Sequence, residues 1–382
     1  MFENLITFIQ DLYQTEESIP LHRPYFLGNE KKYLNDAIDS TFVSSIGQSV
    51  SEFEKKIAEY TGVKHAIAVV NGTAALHLSL KISGVEQNTE VITQSLTFVA
   101  TCNAIKYCGA DPVFVDVCKK TAGLEAESLK EFLTNNCEVR NDGFCWNKIS
   151  EKKIIACLPM HTFGLCVDLS EIKKICDSFN LILIEDSAES LGSFYKKKHS
   201  GSYGQVSALS FNGNKIITTG SGGMIITDDK EIAHKIKHTS TTSKINHRWD
   251  FNHDEIGFNY RLANLNAALG LAQFESLEKY VKNKRLIASQ YHKWGEKNNF
   301  TFLKEAEGTK SNYWLNALIS ENKNEKEQIL KETNDKKIMT RPAWTPMHKL
   351  EIYKNCLKSD LHNTNWLFDR IVSLPSSINS KI

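Results

Sequence analysis

The sequence predicts an α/β protein: a mainly parallel sheet flanked by helices, with a smaller C-terminal α+β domain. Three observations carry this. First, from residue 60 onward apolar β-type runs alternate with segments whose apolar residues recur at helical spacing, as in a parallel α/β sheet. Second, runs such as IIACLPM and LILI do not alternate apolar with polar, as expected of strands covered on both faces. Third, 382 residues exceed one compact core, so a large domain plus a smaller one is the natural partition.

In chain order, MFENLITFIQDLY places Phe2, Leu5, Ile6, Ile9 and Leu12 at helical spacing, which predicts a short amphipathic helix within an N-terminal arm, residues 1–18. The large α/β domain is assigned to 19–245. Its strands are read at Ala66–Val70, Glu90–Thr93, Pro112–Val117, Ile154–Met160, Leu181–Ile184, Val206–Phe211 and Gly223–Thr227. The intervening helices are read at Ala74–Ile82, Val99–Tyr107, Ala126–Leu133 and Leu169–Phe179. Polar Thr134–Lys153 breaks the rhythm and reads as a surface excursion. After about residue 230 the composition turns polar and histidine-rich, which marks a loop or junction, and 246–382 is assigned to the small domain. Within it, Arg261–Tyr291 reads as one long helix.

Composition narrows the function. A net charge of +1 lacks the basic excess of most nucleic-acid binders, so no nucleic-acid partner is expected. Only seven of the 46 basic residues are arginine, which leaves few candidates for two-pronged anion recognition. Nine cysteines without a C-x-x-C pair signal neither zinc knuckle nor thioredoxin-type site, and the twelve histidines show no zinc spacing, so no metal is expected. The N-terminus carries acids where a signal peptide carries positive charge, and no apolar run approaches a membrane span. Reduced thiols in a soluble, cytoplasmic protein are therefore the expectation.

Four features point to chemistry. Asn71-Gly72-Thr73-Ala74-Ala75 follows the strand AIAVV and opens a helix. That corner either cradles a phosphate on helix N–H groups or is an ordinary N-cap. Glu185-Asp186 ends the strand LILI, where ligands sit in open α/β sheets; the acid either stabilises a cationic ring nitrogen or caps the next helix. Ser210-Phe211-Asn212-Gly213-Asn214-Lys215 places a lysine close behind a strand, where desolvation frees an amine to attack carbonyls; the alternative is one more solvated surface lysine. The following TTGSGGMII lacks G-x-G-x-x-G, because Ile225 stands at the third glycine, and no P-loop occurs. Last, Gly257-Phe258-Asn259-Tyr260-Arg261-Leu262 precedes the long helix, with Asn259 and Arg261 facing a ligand or merely capping and salt-bridging. A phosphate cradle, a strand-end carboxylate and a later lysine are the parts pyridoxal 5'-phosphate requires.

NGTAALHLSL, VITQSLTFVATCNAIKYCGADPVFVDV, LILIEDSAESLGSFY, SALSFNGNKIITTGSGGMIITDD and GFNYRLANLNAALGLAQ together resemble the DegT/DnrJ/EryC1/StrS sugar aminotransferases. The resemblance runs from about Ile19 to the C-terminus and implies the aspartate aminotransferase (fold type I) architecture. IDSTFVSSIG, PMHTFG, FNGNKIITTGSGG and TRPAWTPMHKLEIY look most like the LegC branch, which belongs to legionaminic acid and bacillosamine-type sugar biosynthesis. By position, the resemblance implies that Lys215 forms the Schiff base and shuttles the proton, and that Asp186 pairs with the pyridine nitrogen. It implies that Phe98 stacks on the ring and that Gly72, Thr73, Ala74 and Ser210 bind the phosphate. Asn259 would reach that phosphate from the other subunit of a homodimer with shared sites. Glu189 departs from the glutamine or histidine of many relatives near the phenolic oxygen.

The implied reaction aminates a nucleotide-linked 4-keto-6-deoxy sugar with glutamate as donor. The leading substrate is a UDP-4-keto-2-acetamido-2,6-dideoxyhexose, and the alternatives are a GDP-linked sugar of the perosamine type or a dehydration. Dehydratase relatives carry histidine at the lysine position, so Lys215 argues against dehydration. For the substrate, Arg261, Arg341, Trp344 and His348 fall where the family places the pocket's edge, and Ser44 and Ser45 would supply hydroxyls. Each of these six also has a purely structural reading, as a cap, an ion pair or packing.

Overall fold

A computed structural model of the chain describes residues 2–381. Its frame is a nine-stranded sheet. Seven strands form the main path: β1 (His65–Val69), β2 (Thr89–Gln94), β3 (Asp111–Val115), β4 (Lys153–Leu158), β5 (Ile182–Asp186), β6 (Val206–Ser210) and β7 (Gly223–Thr227). Their order is β1-β7-β6-β5-β4-β2-β3. The pairs from β6 to β3 are parallel, and β7 runs antiparallel to both its neighbours.

Successive residues of the central strands face opposite helix layers, which is why these strands read as unbroken apolar runs. Ile155 and Ile184 enter the core shared with helices α4 (Gly72–Ile82) and α5 (Val99–Tyr107); their neighbours Ile154 and Leu183 enter the core under α6 (Ala126–Asn136) and α7 (Leu169–Ser178). The mixed sheet flanked by helices confirms the expected fold class.

Three segments depart from the sequence reading. Thr134–Lys153 is no simple surface excursion: Cys137–Val139 and Cys145–Asn147 form a hairpin that pairs with the start of β4. Buried Cys137 and Cys145 anchor it to the core beneath α6, so two apolar side chains sufficed within a polar stretch. Arg261–Tyr291 is two helices, α9 (Asn264–Phe274) and α10 (Leu277–Asn298), broken at Glu275-Ser276. Glu275 at the break accepts hydrogen bonds from Asn29 and Tyr33, which lie at the start of the helix Glu30–Asp39. That helix and the next, Gln48–Thr61, were not read from the sequence.

Packing crosses both expected boundaries. The helix Glu3–Tyr13 buries Leu5, Ile6 and Ile9 with Ile287, Tyr291, Leu318 and Val372, against the four-stranded C-terminal sheet. Leu262 and Ala267, beyond residue 245, pack with Ala68, Leu209 and Met224 of the main sheet. All nine cysteines are free thiols, and among the described residues no helix is long and apolar enough to cross a membrane.

One polar group inside this packing gives a pH prediction. Lys284 of α10 is 1% exposed, and its amine donates to the Ser376 carbonyl. Burial pushes the amine well below its ordinary 10.5. The unfolded chain therefore holds a proton that the folded chain has released, and stability rises with pH across the window up to about 10.5. Lys284→Met should gain about 1–3 kcal/mol over the parent at pH 7, with the gain shrinking as pH approaches 10. Urea unfolding at several pH values reads this, and a gain independent of pH would contradict it.

Candidate active site

The carboxyl ends of β5 and β6 and the corner after β1 meet at one cleft of about 310 Å³. Parallel pairing sets Asp186 opposite Ala208, so Ser210 projects two residues beyond the carboxylate. Across from Ser210 the chain turns into α4. Asn71 caps the helix, its side chain accepting from the Ala74 N–H at 2.8 Å and its carbonyl from that of Ala75 at 3.1 Å. The N–H groups of Gly72 and Thr73 are left for a ligand.

Glycine is required at this corner for steric reasons. A Cβ on Gly72 would sit 2.9 Å from the Ser210 Cβ, and one on Gly223 would sit 2.4 Å from the Asn71 carbonyl oxygen. The glycine-rich run after Lys215 thus serves the close passage of β7 behind the cradle.

Asp186 is 2% exposed. Its carboxylate accepts from the Thr101 hydroxyl at 2.8 Å and the Ala188 N–H at 3.2 Å. Burial raises its pKa; those hydrogen bonds, then Lys215 and His161, pull it back. Below it, His161 Nε2 lies 3.0 Å from Glu185 Oε2, both fully buried, and Glu185 Oε1 also accepts the N–H groups of Tyr203 and Gly204.

The Lys215 amine lies 3.2 Å from Glu189 Oε1 and 4.0 Å from the centroid of the Trp314 ring. Glu189 Oε2 accepts the Phe163 N–H at 2.9 Å. Phe163 takes the left-handed backbone conformation (φ 57°), a strain that aims its N–H inward. Burial pushes the Glu189 carboxyl up to about 7, against the opposing pull of Lys215.

Seven of the nine cofactor residues expected from the sequence line this cleft: Gly72, Thr73, Phe98, Asp186, Glu189, Ser210 and Lys215. Ala74 is buried just behind the cradle, and its N–H is taken by the cap. Asn259 is not at the cleft; it is exposed beside Thr241.

Of the substrate candidates, Trp344 lines the cleft, with its ring 6.2 Å from Phe98 and 5.3 Å from Phe163. His348 pairs through Nδ1 with the Ser95 hydroxyl at 2.8 Å, outside the lining. Arg261 is outside the lining, bound to Glu54 at 2.8 Å and donating to the Ala68 carbonyl at 3.0 Å. Arg341 is exposed and donates to Asn334 and the Thr340 carbonyl. Ser44 and Ser45 sit in the loop before Gln48–Thr61, where the Ser44 carbonyl accepts the Asn264 N–H. Thr101, Trp314 and the pairing of His161 with Glu185 were missed: they depend on tertiary contact, and no spacing in the sequence announces them.

Pyridoxal phosphate fits these residues. The Gly72–Ser210 cradle offers N–H and hydroxyl donors to a phosphate, a buried carboxylate suits a cationic ring nitrogen, and Lys215 projects between them. A larger cavity of about 780 Å³ lies under the loop carrying Phe42 and Ile46, but Asp36 and Glu52 line it and no lysine or arginine does, the wrong chemistry for a phosphate. Among the described residues no cluster of three or more histidine, cysteine or acidic side chains could hold a metal ion.

Comparison with known proteins agrees. Residues 26–380 match the profile of the DegT/DnrJ/EryC1/StrS aminotransferase family. The chain is 37% identical to a GDP-perosamine synthase of Escherichia coli O157:H7, over 95% of each chain. It is 31% identical to a UDP-4-amino-4,6-dideoxy-N-acetyl-beta-L-altrosamine transaminase of Campylobacter jejuni, over 86% of this chain and 85% of that one. The crystal structure of a DegT DnrJ EryC1 StrS aminotransferase from Brucella abortus superposes with a TM-score of 0.82 at 28% identity, covering 91% of this chain and 90% of the other. Profile, full-length relatives and cleft chemistry converge, and the chain belongs to the DegT/DnrJ/EryC1/StrS family of pyridoxal phosphate-dependent sugar aminotransferases.

Proposed function

We propose that the chain moves the amino group of glutamate to the C4 ketone of a nucleotide-linked 4-keto-6-deoxyhexose, for a surface-glycan sugar. The observation that carries this is the meeting of a buried acid, a lysine and a phosphate cradle in one cleft. The bound cofactor supplies an aldehyde that exchanges amines and a ring that absorbs the electrons of a broken C–H bond. Asp186 would keep a proton on the ring nitrogen, because a buried carboxylate is stabilised by an adjacent cation. Lys215 would hold the cofactor through its amine, and the same amine, when free, would be placed to move a proton between the substrate carbon and the cofactor. Glu189 has its carboxyl poised near pH 7 beside Lys215, so it can partner the amine in either charge state. Phe98 and Trp344 form an apolar wall over the cleft that limits water.

The LegC-like wording of the sequence supports a UDP-linked 2-acetamido-2,6-dideoxy substrate, as in legionaminic acid or bacillosamine-type pathways. The 37% identity to a GDP-perosamine synthase favours the second reading, a GDP-linked 4-keto-6-deoxyhexose. We propose also that the enzyme works as a homodimer. Asn259, Ser44 and Ser45, all away from this chain's own cleft, would then complete the partner's site.

Lys215→Ala should abolish turnover and remove the visible band of the lysine-linked cofactor. Asp186→Asn should lower kcat roughly 10²–10³-fold with the fold intact. Substantial transaminase activity in Lys215→Ala refutes the assignment. The substrate is decided by presenting UDP-linked and GDP-linked 4-keto sugars in parallel with glutamate and identifying the products by mass and NMR. The first reading expects the UDP-linked 2-acetamido sugar to give the higher kcat/KM. Sedimentation with activity tests the dimer, which fully active monomers would exclude.

A further inference from the structure

Trp314 lies in SNYWLN, about one hundred residues beyond Lys215, and it is 5% exposed. Its indole N–H donates to the carbonyl of Asn214, the residue immediately before Lys215, at 2.6 Å. Its ring face lies under the Lys215 amine at 4.0 Å. The stretch carrying it is itself fixed. The Trp314 N–H donates to Asn312 Oδ1 at 2.8 Å, and the fully buried Asn312 amide donates to the carbonyls of Glu189 and Leu191. Trp314 and Asn312 thus tie the lysine's turn and the backbone of its acidic partner to one point.

The far side is backed by His22, whose ring centroid is 6.3 Å from that of Trp314. Both His22 ring nitrogens are buried without a hydrogen-bond partner of good geometry. Burial, the largest cause, pushes its pKa well below 6.5, with only the nearby Asn214 backbone pulling the other way. The imidazole is therefore neutral and adds no charge opposite the amine. The charged groups bearing on Lys215 are Glu189 at 3.2 Å and, more weakly, Asp186.

We propose that Trp314 is a positioning residue for Lys215: its N–H anchors the turn that delivers the lysine, and its ring face holds the positive charge of the amine. This rests on the reading of Lys215 as the cofactor-bearing lysine. A tryptophan that merely filled the small-domain core would need neither the bond to Asn214 nor its face under an ammonium.

The test uses holoenzyme with Trp314→Leu and Trp314→Phe, following the visible absorption of the lysine-linked cofactor against pH, with circular dichroism and melting to establish the fold. Trp314→Leu removes the cation–π contact and should lower the titration midpoint by about half to one pH unit. Trp314→Phe keeps a ring face, so its midpoint should stay within about 0.3 pH unit of the parent. Losing the bond to Asn214 should still cut its kcat roughly five- to tenfold, with the sugar KM changed less than about twofold. A folded Trp314→Leu with parental midpoint and kcat overturns the proposal. Should that variant fail to fold, a Trp314→Phe with parental kcat overturns it. A lysine-linked band that survives in Lys215→Ala would instead sink the assignment of Lys215 and leave a result plainly distinguishable from failure of the tryptophan's role.

Discussion

A carboxylate taken out of water must be compensated where it stands, and the site is organised around that requirement at Asp186. Its immediate partners, the Thr101 hydroxyl and the Ala188 N–H, satisfy lone pairs but bring no formal charge. The positive potential comes from Lys215 and from His161, which is itself held by the buried Glu185. The acid is thus left with a need that a cationic ring nitrogen answers. Strand pairing delivers all of this with little freedom. β5 carries Glu185 and Asp186, the residue after β4 opens the segment with His161, and β6 runs on into Ser210 and Lys215.

The cradle depends on a second constraint, the absence of side chains. Gly72 against Ser210 and Gly223 against Asn71 let three backbone segments approach more closely than any Cβ permits. The cost of glycine in ordered structure is offset by the capped first turn of α4, where Asn71 fixes the orientation of the helix end.

Much of this was legible in the sequence, for identifiable reasons. The sheet showed itself because its strands are buried on both faces, and Gly72, Asp186, Ser210 and Lys215 showed themselves because each lies at the end of an apolar run or within a few residues of it. The family resemblance, rather than any periodicity, ordered them into one site. Trp314 and Thr101 stayed hidden because they reach the cleft from other layers, where only tertiary packing sets their direction. The break between α9 and α10 was invisible because its partners, Asn29 and Tyr33, lie more than 240 positions away. Arg261 was read toward a ligand because sequence order places it beside Asn259, whereas folding turns it to Glu54.

That turn of Arg261 matters for the rim of the sheet. β1 is a terminal strand with β7 on one side, and the outer edge of such a strand is a template on which a foreign strand can add. At Ala68 the template is blocked by side chains: Glu54 accepts the Ala68 N–H at 2.8 Å, and Arg261 donates to the Ala68 carbonyl at 3.0 Å. The two then close on each other at 2.8 Å, so an ion pair imitates the hydrogen bonds of the missing neighbour. Two residues on, the Val70 N–H goes to the carbonyl of Tyr260. The arginine that the sequence places beside Asn259 therefore also fills, with Glu54, the bonding positions at Ala68 that an added strand would use, and leaves the other faces free to assemble.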